Sequence, residues 1–302
     1  MRSVRKRLPG PRWAVIGVPY LWLLLFFAVP FLIVLRISFS MIERGKMPPY
    51  TDLFERTADG VAHLSLNLGN YAALFTDSLY ARAYVSSLWI AGISTLLCLL
   101  IGYPMAYCIA RLPASARNVA MMMVVLPSWT SFLLRVYAWV GILKNNGLLN
   151  ALLLKLHIIN EPLQILYTPL AAYIGIVYCY LPFMILPLYT NLVKHDHRLL
   201  EAAHDLGASP LKAFFSITLP LSRSGILAGC MLVMIPAVGE YVIPEMLGGS
   251  DTLMIGRQLV NDFNITDWPR ASAVAIAMLA LLLVPILVFN RVQQKEIEGK
   301  LT

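Results

Sequence analysis

Charged side chains are scarce in this sequence: Asp, Glu, Lys and Arg supply 13% of 302 residues, while 59% are hydrophobic. Soluble domains carry about 25% and 45–50% respectively, so an ordinary water-facing surface is excluded. Cysteine is rare as well. Cys98, Cys108, Cys179 and Cys230 all fall in apolar runs with no CxxC pair, which argues against a disulfide framework or a thiolate metal site. The ATP-binding pattern G-x-x-x-x-G-K-[ST] is missing. Gly45-Lys46 and Gly299-Lys300 lack both the upstream glycine and the following Ser or Thr, so this chain carries no P-loop. Catalytic groupings are missing too, because polar residues that could meet as a Ser-His-Asp set or a carboxylate pair are scattered along the chain. His195, Asp196, His197 and His204 share one loop without cysteine, and read as solvated or partner-facing groups. No metal, cofactor or enzymatic activity is expected.

What is present is a series of long apolar runs, each close to the roughly 20 residues that span a bilayer as a helix. They fall at 13–35, 83–110, 118–143, 168–190, 224–244 and 271–290. The expected fold is all-α: a single polytopic membrane domain of about six transmembrane helices over residues 1–302. The apolar core of the first run exceeds the 7 to 15 residues of a signal peptide and no A-x-A site follows it, so an uncleaved first span is expected.

Six spans put both ends on one side, and Lys and Arg identify that side as cytoplasmic. The terminal segments together with the second-to-third and fourth-to-fifth loops hold 14 of the 24 basic residues and only five acidic ones. Both termini and the 194–223 loop are therefore expected in the cytoplasm. The formal charge of +8 is explained by anionic lipid headgroups, with no nucleic-acid partner.

The outer loop over 36–82 offers turn-forming KMPPYTD and NLGNY stretches and room for a short helix or two, but not for a catalytic domain. KNNGLLNALLLKL predicts a turn at Asn145-Asn146-Gly147 followed by a short apolar helix. After Gly248-Gly249, Ser250 or Asp251 is a candidate N-cap for an amphipathic helix. Pro30, Pro104, Pro127, Pro182, Pro187, Pro236, Pro244 and Pro285 punctuate the spans and can kink them. Gly225 and Gly229 form a GxxxG suited to close helix packing.

The 201–220 stretch, EAAHDLGASPLKAFFSITLP, is too small to fold alone. Leu199 to Leu206 is helix-friendly and Gly207 is a natural left-handed terminator. Ser209-Pro210 pairs an N-cap with Pro at N1 and opens a second helix over Leu211 to Ser216, which Leu219-Pro220 is expected to stop. The product is a knob exposing Glu201, His204, Asp205 and Lys212 beneath the bilayer. Glu201-Ala202-Ala203, Gly207, Ile217 and Leu219-Pro220 together match EAA-x3-G-x9-I-x-LP, and on these residues the chain resembles the permease subunits of bacterial ABC importers. LPSWTSFLLRVYAWVGILKNNGLLN, AYIGIVYCYLPFMILPLY and PAVGEYVIPEMLGGSDTLMIGRQL look like the polyamine branch, closest to the putrescine type. The likeness runs from about Leu66 to Ile286.

This resemblance implies the type I ABC importer permease fold in a bacterial inner membrane. It also implies a second homologous permease, a homodimer of ATP-binding subunits and a periplasmic polyamine-binding protein as partners. Glu201, Ala202, Ala203, Asp205, Gly207, Ile217, Leu219 and Pro220 would then couple the chain to the ATPase.

Arg135 and Glu240 are the only charges inside the expected spans, at about 2.5–3.5 kcal/mol each on insertion scales. Glu240 could counter a passing amine on the substrate path, and Arg135 could line that path, pair with Glu240 or snorkel to an interface. Trp129, Tyr137 and Tyr241 offer aromatic faces for cation–π contacts, and Glu245 lies near the outer mouth. Three rivals differ in substrate or class. A permease for another organic cation or amino acid keeps the same architecture. A stand-alone secondary transporter needs an internal repeat and more intramembrane ionisable groups. An embedded enzyme needs catalytic groups gathered at one depth.

Overall fold

The computed structural model describes residues 12–56, 62–196, 198–250 and 252–298. His197 and Asp251, singled out above, lie outside these residues. Among the described residues, four helices are long and apolar enough to cross a membrane, or six if each of two sharply bent pairs counts as one span. The only strands among the described residues are β1 (Phe54–Arg56) and β2 (Ala62–Leu64), an antiparallel pair with Glu55 opposite His63.

The residues divide into two compact units. The first takes in the chain up to Thr76 together with Asp262–Ala277. Its opening helix, α1 (Arg12–Leu23), passes through a π turn at Leu24–Ala28 into α2 (Val29–Ser38). Pro30 stands at the start of α2 with no N–H to give, and the wider π turn absorbs that missing bond. The loop over 36–82 is pinned by polar contacts. Asn70 Nδ2 on α3 (Gly69–Thr76) donates 2.9 Å bonds to the carbonyls of Ser38 and Ser40, the Ser38 and Tyr71 hydroxyls bond at 2.7 Å, and Arg36 pairs with Asp52.

The second unit is the helical bundle. α4 (Ser78–Ala110), capped by Asp77, packs against α8 (Pro169–Leu192), and α12 (Arg223–Val238) packs against both. Ile176, Cys179, Met184, Ile185 and Leu188 of α8 are buried at the centre. Gly225 and Gly229 bring α12 close: a Cβ at Gly225 would stand 2.7 Å from Asn191 Cβ, and one at Gly229 would stand 2.6 Å from Met184 Sδ.

Two expected spans are not single helices. The run over 118–143 is α5 (Ala114–Val125), a 3-10 turn at Leu126–Trp129, and α6 (Phe132–Leu143), with the helices before and after the break bent by 89°. Pro127 tightens the turn, then Thr130 and Ser131 take extended backbone, so the helix restarts in a new direction. The run over 224–244 is α12, which ends at Gly239, and a separate α13 (Val242–Leu247). α7 (Leu148–Lys155) follows the Asn145–Gly147 turn. α14 (Ile255–Asn264) starts too late for Ser250 to cap it. Its first amide instead donates a 2.7 Å bond to Ser87 Oγ on α4, a tertiary cap. α15 (Trp268–Glu298) closes the chain.

Candidate functional site

Two groups of residues stand out, one on the exposed 198–221 segment and one at the break after α12. The segment begins with α9 (Arg198–Asp205). Gly207 then takes φ +81°, the left-handed turn its position demanded, and the amide of Ala208 donates to the Ala203 carbonyl at 2.9 Å. Ser209 caps α10 (Pro210–Ala213), accepting from the Lys212 amide at 3.4 Å. Here the structure corrects the sequence. Leu219-Pro220 does not stop the second helix. A π turn at Phe214–Thr218 carries the chain into α11 (Leu219–Leu221), and the break comes at Ser222, with a 64° bend into α12. The wider i to i+5 spacing removes the demand for the amide that Pro220 lacks.

Glu201, Ala202, His204, Asp205, Gly207 and Lys212 are exposed, as are the apolar Leu206, Leu211 and Phe215. Ala203, Ile217, Leu219 and Pro220 are half-buried, on the side toward the bundle. Phe214 is the anchor. It meets Tyr103 and Tyr107 of α4 edge-on, each at 5.7 Å between ring centroids. The Tyr103 hydroxyl reaches Ser222 Oγ at 2.9 Å, and Ser222 Oγ donates to the Thr218 carbonyl at 2.6 Å. The knob is therefore tied to α4 by rings and by hydrogen bonds at the bend itself.

Glu240 lies in the gap between α12 and α13 rather than within a span helix. It is only 7% exposed. Its Oε1 accepts from the amides of Val242 and Ile243 at 3.0 and 3.4 Å, capping α13, and its Oε2 accepts the Tyr180 hydroxyl proton from α8. Three donors held by the fold stabilise the carboxylate, a charge-assisted arrangement about twice as strong as neutral bonds. Tyr241, the next residue, is exposed. Gly256 of α14 presses on the same break, since a Cβ there would stand 2.3 Å from the Gly239 carbonyl oxygen.

Arg135 is not the partner of Glu240: among the described residues no ion pair joins them. Its guanidinium carbon lies 5.7 Å from the centre of the Phe132 ring, and its Nε is buried without a hydrogen-bond acceptor. Glu245 pairs with Arg257 at 2.5 Å, and Arg257 also donates to the Gly249 carbonyl at 2.8 Å. Trp129 ends the 3-10 turn with 77% of its surface exposed, and Tyr137 is exposed on α6. Among the described residues no three His, Cys, Asp or Glu side chains gather at metal-binding distance. Sequence reasoning missed Tyr180 and Ser87, which reach partners 60 and 168 positions away. A helix otherwise rich in aromatic and apolar residues gives no sign of which hydroxyl will meet a carboxylate.

Against known proteins, residues 98–297 match the family described as binding-protein-dependent transport system inner membrane component. The spermidine/putrescine transport system permease protein PotB of Haemophilus influenzae is 39% identical over 277 residues, covering 91% of this chain and 92% of that protein. The Escherichia coli protein of the same description is 38% identical over 281 residues, covering 92% and 97%. The crystal structure of a bacterial ABC transporter involved in the import of the acidic polysaccharide alginate aligns with a TM-score of 0.69 over 94% of each chain at 17% identity, so the fold is that of an ABC importer permease. With its matched region covering most of its length and an EAA knob anchored to its bundle, the chain belongs to the family of binding-protein-dependent transport system inner membrane components.

Proposed function

We propose that this chain is the membrane-spanning permease subunit of an ATP-driven polyamine importer. The observation that carries this is likeness over nine-tenths of its length to permeases named for spermidine and putrescine. ATP hydrolysis belongs to a separate pair of subunits, which the chain meets through the exposed face of α9, Gly207 and α10. A second homologous permease completes the pathway, and a periplasmic polyamine-binding protein delivers substrate to the outer loops. Both termini and the knob face the cytoplasm, the side toward which the positive charge is biased. Within the polyamine class, the putrescine-like stretches favour a short amine.

On this reading Glu240 and Tyr241 line the path at the α12–α13 break. The carboxylate is preorganised by Tyr180 and two amides, and the exposed Tyr241 ring, with Trp129 and Tyr137, offers cation–π contacts of roughly 0.5–2 kcal/mol. Weak, multiple contacts suit a site that must release what it binds. Glu245, already answered by Arg257, shapes the outer mouth rather than the path.

Glu240→Gln is the direct test. The amide keeps the shape, can still accept from Val242 and Ile243, and can donate to the Tyr180 oxygen, so only the charge is lost. Losing the charge-assisted bond to the passing ammonium group, about 1.5–3 kcal/mol, lowers uptake of labelled putrescine and spermidine roughly ten- to a hundredfold in the reconstituted complex, with assembly intact. Unchanged uptake would remove Glu240 from the path. Failure to transport either amine in the wild-type complex would overturn the substrate class.

A further inference from the structure

Arg135 sits in the first turn of α6 and lines a groove of about 400 Å³ with Thr130, Leu134, Ala138, Trp139 and Tyr178. Trp139 and Tyr178 meet edge-on at 5.4 Å and form one wall. The groove holds a permanent cation whose Nε finds no acceptor, beside the exposed apolar side chains of Leu133, Leu134 and Tyr137. Apolar side chains can face lipid indefinitely. A guanidinium cannot, because hydrocarbon offers it neither counter-charge nor hydrogen-bond acceptors.

Depth narrows what can answer it. Tyr178 lies nine residues into the 24-residue α8, about 14 Å along its axis at 1.5 Å per residue. That is near the middle of a hydrocarbon core about 30 Å thick. Phosphate headgroups, a periplasmic protein and a cytoplasmic ATPase all stop well short of this level. A polyamine cannot be the occupant, since both carry positive charge. Glu240 forms no ion pair with Arg135 among the described residues and is already held by Tyr180 and two backbone amides. What remains at mid-depth is another membrane chain, and the group that complements a guanidinium in a polar-poor groove is a carboxylate, which can accept two of its N–H bonds at once.

We infer that the Arg135 groove is a socket for an Asp or Glu side chain carried by the second permease. The ion pair fixes how the two permeases face each other, with Trp139 and Tyr178 excluding water from it. This rests on the two-permease assembly proposed above but not on the substrate, so the test avoids transport altogether.

The complex is purified through a tag on this chain after Arg135→Gln and, separately, Arg135→Lys. Gln loses the charge and recovers at least tenfold less of the second permease, whereas Lys, which keeps the charge, recovers it to within about threefold of wild type. Treating the Arg135→Lys complex with a carbodiimide, which joins amines to carboxylates without a spacer, yields a cross-linked peptide between the introduced amine and an acidic residue of the second permease. The inference is overturned by undiminished recovery with Gln, by equal loss with Lys and Gln, or by a cross-link confined to Glu240 of this chain. It is also overturned if no cross-link forms, or if only bound anionic lipid is lost from the Gln variant.

Discussion

Gly256→Ala isolates the contact between α14 and the break that carries Glu240. The added Cβ would stand 2.3 Å from the carbonyl oxygen of Gly239 and 2.9 Å from that of Glu240, where ordinary contact lies at 3.4–4 Å. Both neighbours are backbone and cannot swing aside, so α14 or the break must retreat by about 1 Å. Overpacking of this kind costs about 1–3 kcal/mol. If α14 moves, the buried bond from the Ile255 amide to Ser87 Oγ at 2.7 Å is lost, about 1–3 kcal/mol when a buried donor is left unmet. If the break moves, the cap on α13 suffers, about 0.5–2 kcal/mol. An alanine in a helix returns about 1 kcal/mol of propensity, which leaves a net loss of about 0.5–5 kcal/mol. The assay is the thermal midpoint of the purified complex together with uptake in proteoliposomes. Gly256→Ala is expected to lower the midpoint by roughly 5 °C and to reduce uptake at least tenfold. Gly239→Ala is the control: its Cβ would meet the flexible tip of Met278 at 3.5 and 3.6 Å and the Pro236 carbonyl oxygen at 4.0 Å, all ordinary contacts, and both readouts stay near wild type. A Gly256→Ala complex as stable and as active as wild type, or a Gly239→Ala complex equally damaged, refutes the idea that backbone contact holds this break in place.

Tyr180→Phe removes one of three donors to Glu240 and costs about 1–3 kcal/mol. If that bond alone is at stake, adding it to Glu240→Gln lowers the thermal midpoint by less than the sum of the two single effects. A Cβ added at Gly207 meets no neighbour within 4 Å, so the main cost of Gly207→Val, about 1–2 kcal/mol, is that of holding a β-branched residue at φ +81°. The variant inserts and assembles normally but loses substrate-stimulated ATP hydrolysis, and intact stimulation would dissociate Gly207 from coupling. Phe214→Ala deletes both edge-on contacts with Tyr103 and Tyr107, about 1–3 kcal/mol in total. ATPase activity persists while uptake falls, as measured by the ratio of amine imported to ATP consumed.

The helices that a membrane demands were legible because hydrocarbon imposes a length and a composition, and residues 83–110 and 168–190 satisfy both without interruption. The turn at Gly207 was legible for a local reason: one residue must go left-handed, and only glycine does so freely. The breaks were less so. Pro127 announced a disturbance, but the 89° turn is completed by Thr130 and Ser131, residues that enter extended backbone without advertising it. Glu240 read as an intramembrane charge because Pro236 and Pro244 both lie in apolar surroundings. Only the geometry shows that Gly239 ends one helix and that the carboxylate begins the next. Pro220 was misjudged because a π turn, which has no sequence signature of its own, removes the bond that proline would have broken.

The two latches bear on one rod. α12 is 16 residues long, roughly 24 Å, and is bounded by a bend at each end. At Ser222 the bend is held by Tyr103 of α4; after Gly239 it is held through Glu240 by Tyr180 of α8. Between them Gly225 and Gly229 leave no room for a methyl against α8, so α12 cannot slide on α8 without collision and the pair must move together. A displacement of Phe214 therefore strains the Tyr103–Ser222 bond and has two outcomes for the upper break: it drives α12 against α8, or it carries α12 and α8 as one body. Because Tyr180 rides on α8, the second outcome moves Glu240 and its supporting hydroxyl together and leaves the carboxylate's own bonds intact. On the coupling proposed above, force from the knob would reach the α12–α13 break as rigid-body motion, and the carboxylate would arrive in its new position already oriented.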